Sequence, residues 1–263
     1  MVYYTPEFAA ATDDIEEFID KMIEETNQGY INSNLPITVT KFCSELATIS
    51  EHCVDPNSLM EAFQNMKGYY WSGHWNSDWG ALRNTADAAT LLVLNHKDCG
   101  QGCYATYNHG DTFSWVKKDC AIRWFTLGHE LGHNLGAGHN IEAPGRVNFR
   151  YGRGHLIEKG KYYTGLNTIM AYPRQGHEIR TNYYSNPDVI HPLTGTPTGE
   201  RSRSNNAAVI WRNIAKLAAI GDESGSCKTL SFNWRDPFQP WRKMTSKLSA
   251  ATGKCLMTKG WNK

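Results

Sequence analysis

"HELGHNLGAGH", residues 129–139, sets three histidines, one glutamate and three glycines in eleven positions. If the segment is helical, His129 and His133 lie about one turn apart on the same face, so both rings can grip one ion. Two imidazoles alone leave zinc under-coordinated. Gly136 can take the left-handed conformation that ends a helix, and Gly138 allows a further bend, so His139 can swing back as a third ligand. Three neutral histidines with an open fourth position describe a catalytic zinc site, because structural sites close the tetrahedron with a fourth protein ligand. Glu130 points partly away from the ion, which leaves its carboxylate to hold water as a general base. From this chain's composition, the full spacing HExxHxxGxxH arises by chance with a probability on the order of 10⁻⁴, whereas a bare HExxH is far weaker evidence.

Working outward, "DCAIRWFTLGHELGHNLG" (119–136) has apolar residues at helical intervals, with Asp119 as a cap and Gly136 as a stop. "AATLLVLNH" (88–96) is a nearly continuous apolar run, as expected of a central strand covered on both faces. "GCYATY" (102–107) and "TFSWV" (112–116) bracket the polar turn "NHGD" (108–111) and read as a hairpin. Nearer the start, "TDDIEEFIDKMIEETNQGY" (12–30) reads as a surface helix stopping at Asn27 to Gly29, and "LPITVTKF" (35–42) as an alternating strand. A second helix is expected from about Asn57 to Lys67, capped by Asp55 or Asn57, and a last one in "NNAAVIWRNIAKLAAIG" (205–221). Helices alternating with strands suggest an α/β layer.

Hydrophobic residues make up 40% and charged residues 20%, the composition of a globular protein with a sizeable core. A formal charge of +1 gives no reason to expect nucleic acid, and no apolar stretch is long enough for a membrane span. The charge is uneven, however. The segment 224–263 holds the single acid Asp236 among many Lys and Arg, and the preceding body is net negative. This basic, aromatic tail either binds polyanions such as matrix glycans, begins an ancillary domain, or is a solvated extension. Seven cysteines (Cys43, Cys53, Cys99, Cys103, Cys120, Cys227, Cys255) favour disulfides in an oxidising compartment, with local loops from Cys43 to Cys53 and from Cys99 to Cys103 or Cys120. A secreted chain then requires a signal and any pro-segment upstream of "MVYYTPEFAA".

HExxHxxGxxH resembles the signature of the metzincin metallopeptidases, which is followed by a methionine turn; "NTIMAYP" (167–173) supplies one, with Met170 matching the methionine beneath the zinc ligands. The segments "LLVLNHKDCG", "HELGHNLGAGHN", "TIMAY" and "YYSNPDV" look most like the reprolysin-like (adamalysin) zinc endopeptidases, over roughly residues 1–222. The resemblance implies an α/β (α+β) fold, with a twisted mixed sheet bearing one antiparallel edge strand. It divides a catalytic domain, 1–223, into an upper subdomain, 1–138, and an irregular lower one, 139–223. It also implies one zinc on His129, His133 and His139, with Glu130 as base, and protein or peptide substrates bound in extended form along the edge strand around Gly102 to Tyr107. Calcium is left open. The chain departs from reprolysins at Asn140, where they usually carry Asp, which weakens or removes any charge-assisted hydrogen bond there. Tyr172, two residues after Met170, is spaced as in astacins and serralysins, where a tyrosine can contact zinc and stabilise the oxyanion; otherwise it is a packed or solvent-facing residue.

The other histidines, His52, His74, His96, His109, His155, His177 and His191, read as packing or surface residues, and no GxSxG or P-loop pattern appears. Two other readings compete. A non-catalytic matrix or venom binding protein can keep such a fold, but relatives of that kind commonly lose the glutamate or a histidine, and here all four residues are present. An intracellular metallopeptidase would keep its cysteines reduced.

Overall fold

The computed structural model describes residues 1–47, 50–53, 56–60, 86–104, 112–143, 147–158, 160, 165–219, 234–236 and 239–244. The expected helix beyond residue 60, the hairpin turn at 108–111, His74, His109, Cys227, Cys255 and most of the tail lie outside them.

A mixed sheet forms the frame. Strands β1 (Val2–Tyr4), β2 (Ser44–Leu46), β3 (Ala89–Val93), β4 (Gly100–Gly102) and β5 (Phe113–Lys117) run in the order β2-β1-β3-β5-β4. All pairings are parallel except β4 with β5, so of the two edge strands β4 is antiparallel, as expected. β3 is buried along its whole length. Leu91 and Val93 pack on one face with Tyr3, Phe113 and Trp115, while Leu92 packs on the other with Phe8, Ile19, Leu127 and Leu131. β1, which no sequence signal marked, is an interior strand despite its three residues.

Helix α1 (Pro6–Ala10) precedes α2 (Ile15–Asn32), whose start is capped by Asp14 Oδ1 accepting from Glu17 N at 2.9 Å. The expected stop at Asn27 to Gly29 is not one, since the helix continues to Asn32. Gly29 serves close packing instead, because a Cβ there would collide with Asn182 and Ile169. The expected strand 35–42 carries no ladder either. Asn27 occupies its polar groups: Nδ2 donates to Val39 O at 2.9 Å and Oδ1 accepts from Val39 N at 2.7 Å, as a partner strand would. Pairing with β1 begins only at Ser44.

The single helix expected over 119–136 is two. α3 (Lys118–Ala121) follows β5 directly, and α4 (Thr126–Asn134) starts after Phe125, whose φ of 51° breaks the run. Thr126 Oγ1 donates to Cys120 O at 2.9 Å across the break, and Asp119 lies in the first turn of α3 without capping it. Cys120 is bonded to Cys99, which ties the lead into β4 to α3; Cys43 is also disulfide-bonded.

Past α4 the chain is irregular, with a small sheet of β6 (Leu156–Ile157), β7 (Leu166–Asn167) and β8 (Ile179–Arg180). Helix α5 (Asn206–Leu217) closes this part, capped by Asn205 Oδ1 accepting from Ala208 N at 3.0 Å. Tyr30, Leu135, Met170, Tyr184 and Ile210 share its core. In the tail, β9 (Trp234–Asp236) and β10 (Gln239–Met244) pair with each other. Among the described residues no helix is long and apolar enough to cross a membrane.

Candidate metal centre

Helix α4 presents His129 and His133 on one face, and the chain reverses at once beyond it. Ala137 N donates to Gly132 O at 2.9 Å, and Gly136 takes a φ of 85°, the left-handed turn that its missing side chain permits. Gly138 is then pinned between Gly152 O and Gly154 N, at 2.8 and 2.9 Å. This returns His139 to the helix. Its Nε2 lies 3.2 Å from Nε2 of His129 and 2.9 Å from Nε2 of His133. Among the described residues these three form the one group of possible metal ligands, their donor atoms all within 4.8 Å of one another.

The opposite ring nitrogens are occupied. Nδ1 of His129 lies 2.7 Å from Ile169 O, and Nδ1 of His133 lies 3.0 Å from Ala137 O. A carbonyl only accepts, so each Nδ1 carries the hydrogen and each Nε2 aims a lone pair at the shared point. Burial, reinforced by His133, pushes the pKa of His129 well below its ordinary value, and burial with His139 lowers that of His133 to about 4. Three neutral nitrogens with no fourth side-chain ligand in the group fit a zinc ion with an open position.

Glu130 is 3% exposed and sits between this cluster and the sheet edge. A Cβ on Gly100 of β4 would run into its carboxylate and one on Gly102 into its backbone carbonyl, so the two glycines let the edge strand lie directly on α4. Burial lifts the Glu130 carboxyl to about 8, against the opposing pull of Arg180 and a backbone hydrogen bond from Gly102. A metal cation held by the histidines would favour the ionised form further.

The segment after β7 forms the floor. Ile169 accepts from His129, and the fully buried Met170 sets its sulfur so close under Gly132 that a Cβ there would collide with it. Tyr172 is 43% exposed, with its ring 3.9 Å from that of His139, at the rim of the cluster. Asn140 fixes this approach: Oδ1 accepts from Tyr172 N at 2.9 Å, and Nδ2 donates to Glu142 Oε2 at 3.0 Å. Asn140 thus accepts the backbone hydrogen bond without a charge of its own.

Arg180 belongs to this site and carried no signal in the sequence. Its Nη1 donates to Trp124 O at 2.9 Å, Nη2 to Ala171 O at 3.1 Å and Nε to Asn167 Oδ1 at 3.4 Å. The other histidines among the described residues stay apart from the cluster. His155 pairs with Ser204, His191 with Thr181, His96 packs on Trp115, His177 is buried and His52 is exposed.

The sheet with its antiparallel edge, the histidine helix and the glycine reversal define a class, a mixed α/β protein built around a three-histidine centre. The sequence pattern of the reprolysin-like metallo-peptidase family M12 matches residues 1–185, and the chain belongs to that family. It is 31% identical over 209 residues to a peptidyl-Asp metalloendopeptidase of Stenotrophomonas maltophilia (strain K279a), covering 78% of this chain and 48% of that one. A protein of the same description from Xanthomonas campestris pv. campestris is 29% identical over 207 residues, 78% of this chain and 47% of the relative. The chain therefore spans about half the length of these curated relatives. A solved structure described as a chaperone–substrate complex shares the fold with a TM-score of 0.62 and 19% identity, over 84% of this chain and 34% of that one.

Proposed function

We propose that this chain is a zinc-dependent endopeptidase acting outside the cell, cleaving protein or peptide substrates at aspartyl residues. The observation that carries this reading is the convergence of three neutral Nε2 atoms beside the buried Glu130. Zinc bound by His129, His133 and His139 supplies Lewis acidity, polarising the scissile carbonyl and making water more acidic. The Glu130 carboxylate takes the proton of the attacking water and hands it to the leaving amine. Its seat against Gly100 and Gly102 puts that base next to β4, an edge strand of the described sheet, where an extended peptide adds by backbone pairing. Tyr172, at the rim, donates its hydroxyl to the developing oxyanion. Met170 and the Ile169 carbonyl hold the ligand rings in place, the role of a methionine turn.

The aspartyl preference comes from the activity that the similar proteins' descriptions name. Action outside the cell is supported by the Cys99–Cys120 bridge and the bonded Cys43, since such bonds persist in oxidising compartments. Residues 1–223 form the catalytic unit, divided after Gly138, with 224–263 appended.

Digestion of denatured casein, with and without a zinc chelator, tests this on wild type and Glu130→Ala. Chelator-sensitive cleavage is expected, reduced at least about 100-fold in a variant that still binds one zinc. Full activity in Glu130→Ala would remove the general-base assignment. Zinc binding with no cleavage by wild type would turn the reading to a binding protein.

A further inference from the structure

Among the described residues Arg180 has no direct ion-pair partner, and the carboxyl whose charge acts on it is that of Glu130. The three hydrogen bonds of Arg180 go to two backbone carbonyls and one amide oxygen. A guanidinium offers five N–H groups in a planar fork, so one N–H on each terminal nitrogen is unspent. Leaving a partly buried charge so poorly compensated costs stability, and such groups are ordinarily paired.

Its place gives the charge a use. The acceptor Ala171 lies between Met170 and Tyr172, and the acceptor Trp124 immediately precedes the turn into α4, so the guanidinium bridges the floor of the histidine cluster and the head of the helix. Its field is felt by Glu130, Tyr172 and His129, so it borders the chemistry. A clasp between two loops would need only the carbonyl contacts. The two unspent N–H groups and the lack of a direct ion pair among the described residues point to a carboxylate that arrives with the substrate.

We propose that Arg180 is a specificity-determining residue, receiving in its fork the carboxylate of an acidic side chain adjacent to the scissile bond. This rests on reading the three-histidine centre as a peptidase site. A side chain held by two parallel N–H···O bonds is distinguished from its uncharged isostere, because the amide satisfies only part of the fork and brings no charge. The same position should discriminate against Lys by repulsion.

The test uses zinc-loaded protein and peptides identical except for Asp, Asn or Lys at one position, with products mapped by mass. Wild type is expected to favour the Asp peptide over the Asn peptide by on the order of 100-fold in kcat/KM. In Arg180→Gln the ratio should collapse to a few-fold, with zinc content retained; an unchanged ratio in a folded, zinc-loaded variant would overturn the proposal. Binding is measured separately on zinc-loaded Glu130→Ala protein, where the Asp peptide, and not the Asn peptide, should protect Arg180 from modification by phenylglyoxal. This second readout does not depend on Arg180→Gln folding. Equal protection by the two peptides would overturn the proposal. Selective protection with no cleavage of any peptide by wild type would sink the peptidase reading while leaving Arg180 as the receptor of an acidic side chain.

Discussion

Glu130 shows what the site costs the fold. Burial lifts its carboxyl to about 8, so the native state favours the proton while the unfolded chain has lost it. Stability from this residue is therefore present below the ordinary carboxylate range and is lost as pH rises from about 4.5 towards 8. Glu130→Gln should accordingly melt at a higher temperature than wild type in metal-free protein at pH 8, with the difference shrinking at pH 5. Scanning calorimetry at the two values checks it. Asn140→Ala removes the acceptor of Tyr172 N, and a loss of about 1 kcal/mol in urea unfolding is expected. If Tyr172 serves the oxyanion, turnover should fall more than zinc affinity in that variant. His129, Glu130 and His133 could be read from spacing along one helix and His139 from the glycine turn after it, but Arg180 could not. Its acceptors Trp124 and Ala171 are distant in sequence on one side and in a different element on the other, and no periodicity connects them.

At the level of elements, the glycines separate what sequence can and cannot assign. Gly136 was legible as a helix stop because a left-handed residue past the last turn is a local requirement, and its φ of 85° meets it. Gly136→Ala is expected to cost about 1–2 kcal/mol and to weaken zinc binding through His139, read by urea titration and by competition with a chelating dye. Gly29 looked like the same signal and instead makes room for Asn182 and Ile169, which no local rule reveals. The segment 35–42 has the alternation of a strand, but its central backbone groups are taken by the Asn27 side chain. Asn27→Ala leaves Val39 N and O unpaired and should destabilise by about 2 kcal/mol. The helix expected over 119–136 splits at Phe125 because Thr126 and the disulfide-bonded Cys120 bend the chain there, a tertiary constraint imposed on a run of good helical periodicity.

Across the whole molecule, burial holds the pKa values of His129, His133 and His155 below the ordinary histidine value. Between about pH 6.5 and 4 the unfolded chain takes up protons that the native state refuses, so these residues favour unfolding as pH falls through that window, opposing the trend of Glu130. The urea midpoint of metal-free Glu130→Gln should therefore fall from pH 7 to pH 5, and His155→Gln in that background should flatten part of the slope. The convergence of the three histidines was legible in eleven residues, since helix pitch and a glycine turn suffice to bring them together with a glutamate beside them. The central strand and the antiparallel edge were likewise legible, because burial on both faces demands a continuous apolar run and a short connection demands reversal. Strand β1, the break before α4, the glycines that admit the edge strand to Glu130, and the seat of Arg180 were decided only by packing. Each depends on contacts between segments far apart in the chain, and close approach in space leaves no period in a sequence.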